Sequence, residues 1–266
     1  MTRLEQTFTD LKSRDEKALV GFISAGDPNY DTSLAIATAM CESGLDILEL
    51  GVPFSDPTSD GPAIQLGSAR AIANGMTLAR TLDMIRELRS RVETPIIVFS
   101  YYNPILAYGP DRFVTDAVAA GADGILLVDL PPDESEELAP FQNSDLSIIR
   151  LVAPTTPEDR TATLVANASG FVYLISRTGV TGKAGALDID AIAGHASEVR
   201  RHTDLPICLG FGISTPDDVA ALREHVDGLV IGSAFVRMIE ATPDASDLPE
   251  QFASFVTDLK AATRSN

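Results

Sequence analysis

The chain has 266 residues, 45% of them hydrophobic, which is enough for a large core and fits one α/β barrel of commonly about 250 residues. Its 38 acidic and 20 basic residues give a formal charge of −18, a surface that repels nucleic-acid phosphates and anionic lipid. Only Lys12, Lys17, Lys183 and Lys260 are lysines, and acid excess with few lysines reads as adaptation to high salt, where screening relieves self-repulsion.

The opening segment, MTRLEQTFTDLKSRDEK, is charged throughout and lacks the apolar core of a signal peptide. Leu4, Phe8 and Leu11 fall on one face of a leading helix. No uninterrupted apolar run approaches the ~18 residues of a membrane span. Cys41 and Cys208 belong to no CxxC pattern and read as buried free thiols. A cytoplasmic location is expected.

Short apolar runs, each followed by an amphipathic stretch, recur along the rest of the chain. Strands are predicted at Ala18–Ile23, Asp46–Leu50, Pro95–Ser100, Gly124–Val128, Ser147–Val152, Phe171–Ile175, Pro206–Gly210 and Gly228–Ile231. They are near-continuous in Val, Ile and Leu, as parallel strands buried on both faces require. Helical spacing occupies Thr32–Ser43, Leu78–Val92, Asp111–Ala119, Ile189–Arg200 and Pro216–Arg223, and a last helix covers Leu248–Ala262. Strict alternation means a parallel sheet with right-handed crossovers, and eight units suit a closed (β/α)8 TIM barrel with an extra N-terminal helix. A dinucleotide-binding sheet would want GxGxxG after the first strand, and SAGDPNYD lacks it. No linker or low-complexity block interrupts the pattern, so one domain over 1–266 is expected.

Barrel chemistry sits at the carboxyl ends of the strands. Those ends read FISAGDP, LELGVPFSDPTSDGP, SYYNP, VDLPPDE, VAPTTPE, ISRTGVTG, LGFGIS and IGSAFV. Glu49 interrupts a buried strand between Leu48 and Leu50, and alternation turns it into the barrel. An unpaired carboxylate there has its pKa raised toward neutrality, as a proton shuttle needs. The structural alternative is an internal ion pair; Arg150 is the only strand arginine, and no strand carries a facing lysine. Asp60, with Asp56, lies in the loop leaving the same strand, where Asp also serves turns. Asp129 reads equally as a supporting or a turn carboxylate. His195, His202 and His225 lie away from the strand ends, which argues against metal ligation there. The absence of a strand lysine argues against Schiff-base chemistry. Acid–base work by carboxylates remains.

GFGIS (210–214), IGSA (231–234) and GVTG (179–182) place three Gly-rich loops on consecutive strands, a phosphate cradle of backbone N–H groups with Ser233 opening a short helix. Tight turning alone is the competing explanation. Lys183 and Arg177 are the only nearby cations expected, so backbone would do most of the binding.

LELGVPFSDPTSDGP resembles the signature of the tryptophan synthase alpha chain, with FISAGDP, YYNP, VDLPPDE, SRTGVTG, GFGIS and GSAFV in that family's order over essentially the whole chain. Thr58-Ser59 departs from the family's hydrophobic-small pair without removing an acid–base group. The resemblance implies retro-aldol cleavage of indole-3-glycerol phosphate to indole and glyceraldehyde 3-phosphate, with Glu49 and Asp60 catalytic. It implies an indole pocket around Phe22, Tyr101, Leu126, Tyr173 and Phe211, for which core packing is the plain alternative. Thr181, Gly182, Gly212, Gly232 and Ser233 would hold the rest of the substrate. It also implies a beta subunit carrying pyridoxal phosphate, in an alpha2-beta2 tetramer, with no cofactor in this chain. Asp56 and Thr181 would meet when the loops close, and Pro53, Asn103 and Pro131 would lie on the rim that faces the partner. Indole-glycerol-phosphate synthase would need the missing strand lysines; a barrel that only binds indole and regulates would not need both carboxylates.

Overall fold

The computed structural model describes residues 1–175, 187–210 and 212–264. Eight strands, β1 (Ala18–Ser24), β2 (Ile47–Gly51), β3 (Ile96–Ser100), β4 (Gly124–Leu127), β5 (Ser147–Val152), β6 (Val172–Ile175), β7 (Ile207–Gly210) and β8 (Gly228–Ile231), form a closed barrel. All pairs are parallel, and β8 bonds back to β1 with Gly21 beside Ile231. Each predicted strand is present with its ends moved by at most one residue.

The helices in chain order are α1 (Arg3–Ser13), α2 (Tyr30–Glu42), α3 (Pro62–Ala73), α4 (Leu78–Arg89), α5 (Tyr102–Tyr108) and α6 (Pro110–Ala120). They continue with α7 (Ser135–Gln142), α8 (Glu158–Ala166), α9 (Ile189–Arg200), α10 (Pro216–Leu222), α11 (Ser233–Ala241) and α12 (Leu248–Ala262). Local chemistry starts several of them. Thr2 and Glu5 form a reciprocal capping box on α1, and Asn29 accepts from Thr32 N–H on α2. Among the described residues no helix is long and apolar enough to cross a membrane.

The strands' alternation divides the core in two. Leu48, Leu50, Val98, Ile125 and Leu209 point outward into the layer under the helices. Val20, Ile47, Ile97, Leu126, Ile149, Cys208 and Val230 fill the barrel itself. Leu4 and Leu11 of α1 join that inner set, and Phe8 meets Phe171 at 6.0 Å, so the leading helix plugs the amino end. Burying each leucine stabilises the plug by about 1.5–3 kcal/mol. Charged groups at this end are paired: Lys260 bridges Asp46 at 2.7 Å and Glu16 at 3.2 Å, and Asp123 joins Arg3 and Arg89. Both cysteines are free and buried. With one end plugged, the carboxyl end is where the barrel is open to chemistry.

Candidate active site

Glu49 sits mid-strand on β2, level with Phe22 of β1 and Ile97 of β3. It is 0% exposed, and neither carboxylate oxygen has a hydrogen-bond partner. Other buried carboxylates in this fold are satisfied: Asp27 takes both ends of the Arg70 guanidinium, at 2.8 and 2.9 Å. Among the described residues the internal ion pair considered for Glu49 does not form. Arg150 points out of the barrel, where its Nη1 donates to the Leu130 carbonyl at 3.0 Å. Burial alone pushes the Glu49 carboxyl up to about 8, so it holds its proton at neutral pH.

Asp60 reaches the same space from the loop between β2 and α3. Burial pushes its carboxyl up to about 6, opposed by a hydrogen bond from the Tyr101 hydroxyl. Tyr101 also accepts the Ser59 N–H at 3.0 Å and stacks obliquely with Phe54 at 5.2 Å, fixing the loop that carries Asp60. Because Ser59 bonds through its backbone, the Thr58-Ser59 departure leaves this anchor intact. The two carboxyls therefore differ at neutral pH, Glu49 protonated and Asp60 ionised, a division of labour set by burial.

Both open on a small cavity of about 50 Å³, lined also by Phe22, Phe99, Tyr173, Val230, Gly212, Gly232 and Ser233. Phe22 and Phe99 meet edge to face at 5.1 Å. Two close approaches need glycine: a Cβ on Gly51 would lie 2.6 Å from the Phe22 ring, and one on Gly210 would lie 2.0 Å from the Tyr173 hydroxyl. Gly232 precedes the first turn of α11, which has no side-chain cap, so the N–H groups there are available to an anion. The free volume is well below the roughly 300 Å³ of ordinary ligand pockets, so an indole-sized ligand requires the walls to part.

A profile of the family "Tryptophan synthase alpha chain" matches residues 8–264. The chain is 56% identical over 265 residues to the tryptophan synthase alpha chain of Desulfosudis oleivorans, covering 99% of this chain and 100% of that one. It is 46% identical to that of Geobacter sulfurreducens, covering 98% and 99%. Its fold superposes on a structure of Mycobacterium tuberculosis tryptophan synthase with a TM-score of 0.91, at 33% identity over 100% of this chain and 99% of that chain. The chain belongs to the tryptophan synthase alpha chain family. A structure of the Legionella pneumophila alpha subunit is similar too, with a TM-score of 0.90 and 35% identity over 99% and 98%.

Of the residues singled out in this alpha chain's sequence, the structure gathers Glu49, Asp60, Phe22, Tyr173, Gly212, Gly232 and Ser233 around one cavity, with Tyr101 bonded to its edge. Leu126 lies in the inner core and does not line that cavity. Thr181, Gly182 and Phe211, like Arg177 and Lys183, lie outside the described residues. Asp56 is exposed on its loop, and its expected contact with Thr181 also falls outside them. Asp129 has a supporting role, accepting the Tyr102 N–H at 2.7 Å and so tying the loop after β4 to the start of α5. Asn103 and Pro131 are exposed on the rim, whereas Pro53 is buried and cannot face a partner in this form. Among the described residues no cluster of His, Cys, Asp or Glu could hold a metal. One residue went unnoticed in sequence: Arg237 of α11 donates to Ser233 Oγ at 3.1 Å, placing a cation beside the uncapped start of α11. Its only signal is the i, i+4 spacing from Ser233.

Proposed function

We propose that Glu49 and Asp60 are the acid–base pair that cleaves indole-3-glycerol phosphate to indole and glyceraldehyde 3-phosphate. The reaction is the alpha-chain lyase step of tryptophan biosynthesis. The observation that carries the residue assignment is Glu49, a fully buried carboxyl without a partner, opening on the same cavity as a second, more acidic carboxyl.

Indole is a poor leaving group as a C3 carbanion, so C3 must gain a proton before the carbon–carbon bond breaks. Glu49 holds that proton at neutral pH and gives it to C3. The ring nitrogen becomes cationic, and the Asp60 carboxylate, held by Tyr101, stabilises it through the N–H. Glu49, now ionised, takes the proton of the glycerol hydroxyl on the attached carbon. The carbon–carbon electrons return to the ring, leaving neutral indole and the aldehyde. Ser233 and the glycine N–H groups hold the phosphate, with Arg237 beside them.

The beta subunit that carries pyridoxal phosphate is the proposed partner, in an alpha2-beta2 tetramer, docking on the carboxyl-end rim near Asn103 and Pro131. The cofactor belongs to that partner. A cytoplasmic setting and a high-salt milieu complete the proposal, the second supported by the −18 charge. Incubating the chain with indole-3-glycerol phosphate, alone and with its beta subunit, and measuring glyceraldehyde 3-phosphate release tests the reaction. Release should be detectable alone and faster in the complex; no release in either form would refute it.

A further inference from the structure

A second cavity, of about 370 Å³, lies at the carboxyl ends of β4 and β5 and shares no lining residue with the first. Its walls include Leu130, Leu151 and Leu164, with Thr155, Arg150, Arg160 and the carboxylate of Asp129, which accepts the Tyr102 N–H, supplying polar and charged groups. Arg150 is 3% exposed, yet only its Nη1 is bonded; Nε and Nη2 have no partner. Among the described residues no carboxylate forms an ion pair with it. Burial and the charge of Arg160 both act to lower the Arg150 pKa, and no carboxylate acts to raise it. Arg160 has its own counter-ion in Asp133.

A guanidinium stays protonated in proteins, so it cannot shed its charge to escape this environment. Unbalanced buried charge and unmade hydrogen bonds both cost stability. The first turn of α8, beside Pro157 in the cavity wall, carries its own carboxylates, Glu158 and Asp159, so the demand for an anion comes from Arg150. The unbonded edge of the Arg150 guanidinium thus asks for an oxygen-bearing anion. The fork of Nε and Nη2 suits a carboxylate or phosphate face. The cavity exceeds what a bare phosphate needs, and its leucines accept an apolar body.

We propose that this cavity binds a small oxyanion, a carboxylate or phosphate ester with a short apolar portion, which pairs with Arg150. Nε and Nη2 are covered in this structure, so the anion reaches them as the outer torsions of Arg150 turn the guanidinium toward the cavity. The inference does not depend on the catalytic assignments.

The test uses the full chain carrying Ser233→Asp, which blocks the phosphate wall of the first cavity, with and without Arg150→Met. Thermal unfolding is followed against inorganic phosphate and, separately, malonate, each compared with chloride at equal ionic strength. At least one oxyanion should raise the midpoint of the Ser233→Asp chain, and the response to phosphate or malonate identifies the preferred group. Adding Arg150→Met should abolish the rise while leaving the anion-free midpoint equal or higher, because an unbalanced charge has been removed. A rise that survives Arg150→Met, or no rise beyond chloride, overturns the proposal. Should the double variant not fold, Arg150→Lys in the same background keeps the charge and loses the fork. It should weaken oxyanion binding several-fold by titration calorimetry, and unchanged binding overturns the proposal equally.

Discussion

Glu49→Gln should change how stability depends on pH, even with no substrate present. Burial moves the Glu49 carboxyl from the ordinary 4.5 to about 8 in the folded chain. Between those values the unfolded chain has lost this proton and the folded chain keeps it, so the group's contribution to stability falls as pH rises. The slope is about 1.4 kcal/mol per pH unit, and the whole window is worth about 5 kcal/mol. By pH 7 the wild-type chain has lost about 3 kcal/mol relative to low pH through this one group. Glutamine fills the same volume and does not titrate. The difference in unfolding free energy, variant minus wild type, should therefore grow in the variant's favour from pH 4.5 to pH 8 and level off above. Any fixed cost of burying the amide shifts the curve without changing its shape. Urea unfolding of both chains at half-unit pH steps measures it. A difference that stays flat across the window would mean that Glu49 ionises normally, and the argument from its unpartnered burial would be wrong.

Asp60→Asn keeps a hydrogen-bonding side chain but removes the charge proposed to stabilise the cationic ring; turnover of indole-3-glycerol phosphate should fall by about a hundredfold or more, and full activity in the amide would refute the electrostatic role. Ser233→Asp places negative charge at the start of α11 and should weaken binding of the phosphorylated substrate while sparing free indole; equal weakening of both would misplace the phosphate wall. Arg237→Gln should raise KM several-fold with kcat nearly unchanged, because the lost cation served binding alike in ground and transition states. For the −18 charge, the thermal midpoint should rise with KCl into the molar range, and a flat or falling midpoint would reject adaptation to salt.

The barrel was legible because strands buried on both faces leave long apolar runs, and β5 and β8 fall where those runs fall, Ser147–Val152 and Gly228–Ile231. Glu49 was legible for the same reason, as a charge that breaks such a run. Helices were read less completely. α3 opens in a Gly/Pro loop and carries Gly67, and α7 contains Pro140, so neither shows a clean amphipathic stripe. Proline at the start of α3 was the available signal. Leu126, which the resemblance put at the indole pocket, faces into the barrel but lies in its packed core, because inward facing does not fix depth along the barrel. Arg237 was missed because a charge on an exposed helix face ordinarily means solvent. Arg150 is the opposite case: Ile149 faces inward, so its neighbour faces out and cannot reach Glu49.

The most direct test of Glu49 as the proton donor is the alkaline side of the pH profile of kcat/KM for indole-3-glycerol phosphate. The acid side is shared by Asp60 and the substrate's own phosphate, whereas only the loss of the Glu49 proton should act near pH 8. The wild-type chain should lose activity above about 8, and Glu49→Gln should be slower by about a hundredfold with that alkaline fall gone. Near-normal cleavage by the glutamine variant, or the same alkaline fall in both chains, would contradict the assignment of the proton to Glu49.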